Sequence, residues 1–354
     1  MGKPHAATAA FDGLFIVGTL TVALGLGAMA SMSPGMLVTI ALIDVWIFAN
    51  PHVVATYTRL GSCVADLRRN WFLIFPLPVM VLLGVTTVAL SYEVTGLFVV
   101  YFIAQNYHVS RQSFGIAKRY GQTDGSRPDA DPWSSAVIYL VPLWGLLNRC
   151  AQLPGEFLGY PISLPAVPTL ISNVVGGLAI SALLFWAVRA FRAARAGRPH
   201  WRHDGFVASH VCVSVVGYVW ITDITLGWLV VNIWHNLQYL LFVWRQNRLR
   251  ADGKQASSPP AIAAPSALRD VWTDASRYFG FCLVIGALLY EIMDFLGAQL
   301  LWLGLPTVLI AHFTLNFHHY LVDGVIWKRR RPTQNRRALQ SLLGHITSNI
   351  RKSD

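Results

Sequence analysis

Polar residues at helical spacing in the last apolar stretch are the sharpest chemical signal in the chain. His312, Asn316, His319 and Asp323 follow one another at intervals of 4, 3 and 4 residues. In an α-helix this spacing places the four side chains within about 60° of one face, whereas His318 points about 120° away. Two imidazoles with a carboxylate one turn beyond predict that His319 binds a metal and that Asp323 accepts its second ring N–H.

Histidines in other apolar stretches extend this signal. Of the 11 histidines, seven lie in apolar stretches: His52, His108, His210, His235, His312, His318 and His319. Counted at about 1.5 Å per residue along each predicted helix, all of these except His318 fall at or below the midplane, toward the cytoplasmic side. Since a polar group costs free energy in hydrocarbon, this convergence predicts a shared site.

Amide, carboxylate and phenol side chains accompany these histidines. The companions are Gln105 and Gln112 near His108, Asn232, Asn236 and Tyr239 near His235, and Asp44 with Pro51 before His52. The four cysteines are scattered and form no C-x-x-C pair, so no thiolate site or disulfide framework is indicated. Neutral imidazoles without thiolates suit iron, copper or zinc.

The predicted cofactor is therefore a divalent metal, with iron favoured and copper, zinc or haem left open. The predicted ligands are His52, His108, His235 and His319, with His312 and His210 as further candidates. The candidate catalytic residues are His312, as an acid or base, with Asp323 and Tyr239.

Three classes of function fit this pattern. The first is a non-haem metal oxygenase or oxidoreductase that acts on a lipophilic molecule from the bilayer, with dioxygen as a possible second substrate. The second is an electron-transfer protein with a bis-His haem. The third is a proton-coupled transporter in which Asp44, His52 and the polar face of the last stretch form a relay. A shared metal site is the favoured interpretation.

The composition shows what kind of elements must position these residues. Of the 354 residues, 54% are hydrophobic and only 13% are charged, which is too few to cover a water-facing surface. The fold class is thus predicted to be all-α, a polytopic membrane helix bundle. Windows of spanning length predict ten transmembrane helices, at 11–31, 34–57, 71–90, 94–116, 135–152, 167–191, 205–222, 225–246, 276–297 and 300–327.

The placement of positive charge sets the predicted orientation. A net charge of +11 would suit nucleic-acid binding in a soluble protein. Here, with a cytoplasmic amino terminus, 27 of the 28 Lys and Arg residues fall on the cytoplasmic side, and only Arg149 lies near the outer side. The positive-inside rule then predicts that both termini face the cytoplasm of a bacterial inner membrane, with lipid and no nucleic acid as partner.

The predicted domain organisation is simple. Residues 1–327 form the transmembrane helical domain, and 328–354 form a basic cytoplasmic tail. Within the domain, 247–275 is a predicted cytoplasmic linker, rich in Pro, Ala and Ser, and the Pro-rich outer loop 153–168 is expected to cap the bundle. The amino-terminal stretch is not typical of a cleaved signal, so we expect the first span to be retained.

Short motifs in four spans resemble the Brp/Blh family of bacterial carotenoid 15,15'-dioxygenases. The shared features are Pro51-His52 near an early span end, His108, His235, and His319 followed by Asp323. The resemblance implies a polytopic membrane enzyme that holds iron with histidines from several helices. The chain departs from the family where Val53 replaces an Asp after the early Pro-His, and where Tyr239 replaces a later paired His. It therefore implies a membrane metalloenzyme more than a carotenoid substrate.

Overall fold

The computed structural model describes residues 9–61, 64–123, 131–251 and 266–327, and nearly all of them are helical. In chain order the elements are α1 (Ala9–Ala30), α2 (Pro34–Leu60), α3 (Val64–Arg69), α4 (Trp71–Ile74), α5 (Pro76–Thr123), α6 (Pro132–Gln152), β1 (Glu156–Phe157), β2 (Tyr160–Pro161), α7 (Thr169–Arg195), α8 (Trp201–Ser214), α9 (Ile224–Ala251), α10 (Ser266–Thr273), α11 (Ala275–Gln299) and α12 (Thr307–Ile326).

Six helical segments are long and apolar enough to cross a membrane: Ala9–Ala30, Pro34–Leu60, Trp71–Gln122, Thr169–Arg195, Ile224–Ala251 and Ala275–Gln299. This confirms an all-α membrane bundle in outline. α5 breaks at Glu93, whose φ of 56° and ψ of −158° are not helical, and this break falls between the predicted spans 71–90 and 94–116. The number of crossings and the side of the termini stay predictions.

Some element boundaries differ from the prediction. The last long helix begins at Thr307 rather than at residue 300, because Leu301–Leu303 form a 3-10 turn and Gly304 adopts a left-handed φ of 72°. Within the predicted linker 247–275, α9 continues to Ala251 and α10 covers Ser266–Thr273. The rest of that linker and the tail 328–354 lie outside the described residues.

Ion pairs gather the arginine-rich ends of several helices. Asp12, near the start of α1, forms ion pairs with Arg202 at the start of α8 and with Arg245 near the end of α9, each at 3.0 Å. Tyr120, near the end of α5, donates to the same carboxylate at 3.1 Å. α1 and α8 therefore begin near one end of the bundle, called the arginine-rich end below, and α5 and α9 finish near it.

A cap covers the opposite end of the bundle. β1 and β2 form a two-stranded antiparallel hairpin in the Pro-rich loop. Phe157 of this hairpin is only 1% exposed. Its ring contacts those of Phe98, Phe102 and Trp228, with centroids 4.8 to 5.4 Å away. The loop thus folds inward onto α5 and α9, as the prolines suggested.

Arg149 lies buried at the same end and serves as a helix cap. The helix α8 continues as a π-helix, Val215–Trp220, and then becomes extended at Ile221. The guanidinium of Arg149 donates to the carbonyl oxygens of Gly217, Ile221 and Thr222. These carbonyls have lost helical partners, so the cation satisfies the negative end of the helix.

Two helices cross closely just before the candidate site. Gly286 of α11 lies against the backbone of α2 at Asn50 and Pro51, where a Cβ would come within 3.1 Å of the Asn50 carbonyl carbon. Just before this point, α2 passes through a π-helix, Asp44–Ala49. π-Helices re-aim the residues that follow them and are frequent at functional sites. Here the π-helix precedes His52.

Candidate metal centre

Four histidines from four helices meet in the interior of the bundle. His52 of α2, His108 of α5, His235 of α9 and His319 of α12 each offer a ring nitrogen, and these atoms all lie within 4.8 Å of one another. Each residue is at most 6% exposed. The sequence named these four as the predicted ligands, and the structure brings them together.

The four imidazole rings surround a common point, and His52 and His108 each contact both His235 and His319. The His52 ring lies 4.8 Å from that of His235 and 4.5 Å from that of His319, measured between centroids. The His108 ring lies 5.1 and 4.9 Å from the same two partners. Nε2 of His52 and Nε2 of His319 are 2.7 Å apart. At that separation one imidazole can donate a hydrogen bond to the other.

A threonine links His319 to the buried carboxylate. Thr56 Oγ1 lies 2.7 Å from His319 Nδ1 and donates to Asp323 Oδ1 at 3.1 Å. The prediction that Asp323 contacts the His319 ring directly was wrong. Asp323 lies one turn further along α12, and the Thr56 hydroxyl from α2 occupies the space between the two groups. The carboxylate therefore orients the imidazole through Thr56.

Two tyrosines fix the planes of two histidine rings. Tyr239 stacks on His52 with centroids 4.5 Å apart and planes inclined by 22°, and its hydroxyl donates to Asp323 at 2.5 Å. Tyr320 stacks on His108 at 4.3 Å and 26°. This aromatic packing leaves the two imidazoles little freedom to rotate.

An amide network lies on another side of the four histidines. Asp44 accepts a hydrogen bond from Asn232 at 2.5 Å and from Asn236 at 3.2 Å. Asn236 directly follows His235 in α9. A small cavity borders the far end of this network, where Gln105 and Trp228 line it.

The other candidate histidines lie apart from the four. His312 Nε2 bonds Asp294 at 2.5 Å, and the pair is partly exposed on α11 and α12. His210 Nε2 donates to the carbonyl of Ile138 at 3.1 Å. His318 contacts the Tyr57 hydroxyl and donates to the carbonyl of Leu73.

Sequence reasoning missed Thr56 and Tyr320 as parts of this arrangement. Thr56 follows His52 by four residues, so it shares a face of α2 with that histidine. That spacing was a usable signal. Tyr320 is next to His319 along the chain but packs on His108 from another helix, a contact that no spacing within one helix could reveal.

Comparisons with protein-family models, with curated proteins and with solved structures found no match to this chain. The resemblance to the Brp/Blh family therefore rests on its short motifs alone and stays a prediction.

Proposed function

We propose that this chain is an integral-membrane, non-haem metal-dependent oxygenase or oxidoreductase that acts on a lipophilic substrate. The observation that carries the proposal is the meeting of four buried imidazole nitrogens, from four separate helices, within 4.8 Å of one another. Polar groups inside membrane-spanning helices cost free energy, so their presence there indicates a functional site. We further propose that the bundle crosses the membrane ten times with both termini in the cytoplasm.

The residues present fit a metal ion. Nε2 of His108 is buried and has no hydrogen-bond partner among the described residues. A buried polar atom left in this way costs free energy that a ligand bond would recover. Four neutral nitrogen donors suit iron, copper or zinc, and for oxygen chemistry we propose iron.

Each supporting side chain has a definable role. When bound, the ion would supply redox or Lewis-acid chemistry. The Thr56 hydroxyl would hold His319 in the tautomer with hydrogen on Nδ1, which directs the Nε2 lone pair inward. Tyr239 would brace the His52 ring and the Asp323 carboxylate together. The burial of the four imidazoles would exclude bulk water from the reacting atoms.

A row of aromatic rings supports a lipophilic substrate. From the cap to the histidines, consecutive ring contacts run through Phe157, Phe98, Phe313, Phe317, Tyr320 and His108. Phe317 is partly exposed on the side of α12. An apolar wall that reaches from a lipid-facing position to the centre would accept and orient a long hydrophobic molecule. The family resemblance makes a carotenoid the first substrate to test.

The ring packing favours a single ion over haem. The histidine rings contact one another at centroid distances of 4.5 to 5.1 Å. This leaves no plane between two of them in which a porphyrin could lie. A visible spectrum of the purified protein tests this point, since a bis-His haem would give a Soret band.

Elemental analysis of detergent-purified protein tests the proposal. We expect close to one iron per chain in the wild type, and its loss in His235→Ala and in His319→Ala. His203→Ala is the matched control, because His203 is buried but bonds Asp204 at the arginine-rich end. Carotenoid-dependent consumption of dioxygen by the wild type would then be measured. A wild type that holds no metal would reject the proposal.

A further inference from the structure

Two of the buried acidic residues in the described part of the chain have no basic partner. Among the described residues, the buried acids are Asp12, Asp44, Asp66 and Asp323. Asp12 pairs with two arginines, and Asp66 pairs with Arg250 at 2.8 Å. No described Lys or Arg forms an ion pair with Asp44 or Asp323. These two carboxylates belong to the elements that carry the four histidines.

The hydrogen bonds around Asp44 require it to act as an acceptor. The indole N–H of Trp228 can only donate, and it is shared between the Tyr101 hydroxyl at 2.9 Å and Gln105 Oε1 at 3.0 Å. This fixes the amide of Gln105, which donates from Nε2 to Asn232 Oδ1 at 3.1 Å. Asn232 must then present its NH2 group to Asp44. Asn236 directs a second NH2 group at the other oxygen of Asp44. This pattern suits an ionised carboxylate.

The hydrogen bonds around Asp323 have the same direction. Tyr239 donates to Oδ1 of Asp323. Thr56 donates to the same oxygen, and in the tautomer that leaves Nε2 of His319 as a ligand, the Nδ1–H of His319 donates to Thr56. Both carboxylates thus stand at the ends of chains of donors. The chain to Asp323 begins at His319, and Asn236, which donates to Asp44, directly follows His235 in α9.

From this geometry we propose that Asp44 and Asp323 are the counter-charges of the metal centre and make it selective for a divalent cation. The inference rests on the proposed function. Four neutral imidazoles carry no charge, so two carboxylates without basic partners leave a charge of −2, which one divalent ion cancels. In a membrane interior a net charge is strongly disfavoured. A monovalent ion would leave part of that charge uncompensated.

A comparison of Zn²⁺ with Cu⁺ tests the proposal without any need for turnover. Wild type, Asp44→Asn, Asp323→Asn, the double variant and the control Asp66→Asn would be purified in detergent, stripped with chelator and titrated anaerobically with each ion. Asn replaces Asp with nearly the same shape. Each single variant should lower the ratio of Zn²⁺ affinity to Cu⁺ affinity by about tenfold or more, since a carboxylate attracts a doubly charged ion more strongly. The double variant should lower it further.

The outcomes separate the two proposals. An unchanged affinity ratio in both single variants, in a wild type that binds Zn²⁺, would overturn the charge assignment and leave the metal centre intact. A wild type that binds neither ion would reject the centre together with this inference. An equal fall in Asp66→Asn would also overturn the assignment, because it would show a general effect of losing a buried carboxylate. If the double variant does not fold, the single variants still decide.

Discussion

At the scale of single residues, Thr56 is the contact on which the orientation of His319 depends. Thr56→Val keeps the shape of the side chain and removes the hydroxyl that joins His319 to Asp323. We expect metal affinity, measured by competition with a chelator, to fall by about 10- to 100-fold, as is usual when a hydrogen-bond partner of a ligand is lost. Thr87→Val is the control, since Thr87 bonds only its own helix at Leu83. Equal affinity in the Thr56 variant would contradict this role.

His312 and His210 give a second prediction at this scale. Both were candidate ligands from the sequence, yet His312 bonds Asp294 and His210 bonds the Ile138 carbonyl. We expect His312→Ala and His210→Ala to keep the metal content of the wild type in elemental analysis. Loss of metal from either one, with the fold intact by size-exclusion chromatography, would extend the centre beyond the four histidines.

The sequence could predict the ligands but not their mutual contacts. The depth of His52, His108 and His235 along their helices was enough to group them in the same half of the bundle. The same reasoning included His210, because depth along a helix does not say which way a side chain faces. Rotation is decided by packing, as where His210 turns toward the Ile138 carbonyl of α6.

At the scale of elements, the crossing of α11 and α2 positions His52. Gly286→Val would press the valine side chain against the backbone of Asn50, because even its Cβ would lie 3.1 Å from the Asn50 carbonyl carbon. Overpacking of this kind costs about 1 to 3 kcal/mol. We expect a lower thermal unfolding temperature and weaker metal binding. Gly280→Val on the same helix is the control, because no atom lies within 4 Å of the point that a Cβ would occupy there. Equal losses in both variants would argue against the crossing.

Helix positions were predictable from apolar runs, whereas irregularities within helices were not. The break at Glu93 separates two predicted spans, yet the chain continues helically on either side of it. The π-helix Asp44–Ala49 left no periodic signature, because one inserted residue changes the rotation without changing hydropathy. The start of α12 shifted because Gly304 and Pro306 form a turn within an apolar run. Hydropathy predicts the length and burial of a helix, whereas breaks, π-helices and turns depend on local backbone geometry.

At the scale of the whole molecule, one end of the bundle gathers arginines and the other carries the cap. Asp12 draws Arg202 and Arg245 together, and Arg59 lies near the same end, where it donates to Asn247. The opposite end carries the hairpin with Phe157. Since the arginine-rich end is the one expected to face the cytoplasm, the orientation of the entire bundle follows from a single measurement at either end.

Labelling of introduced cysteines provides that measurement. Leu158→Cys lies at the exposed tip of the hairpin, and Ser257→Cys lies in the sequence between α9 and α10. We expect a membrane-impermeant maleimide to label Leu158→Cys in intact bacterial cells and Ser257→Cys only after permeabilisation. The unsubstituted chain controls for its native cysteines. Labelling of Ser257→Cys in intact cells would show that the bundle has the opposite orientation. The four histidines, predicted to lie in the cytoplasmic half, would then lie closer to the outer leaflet, and a substrate would have to reach them from that side.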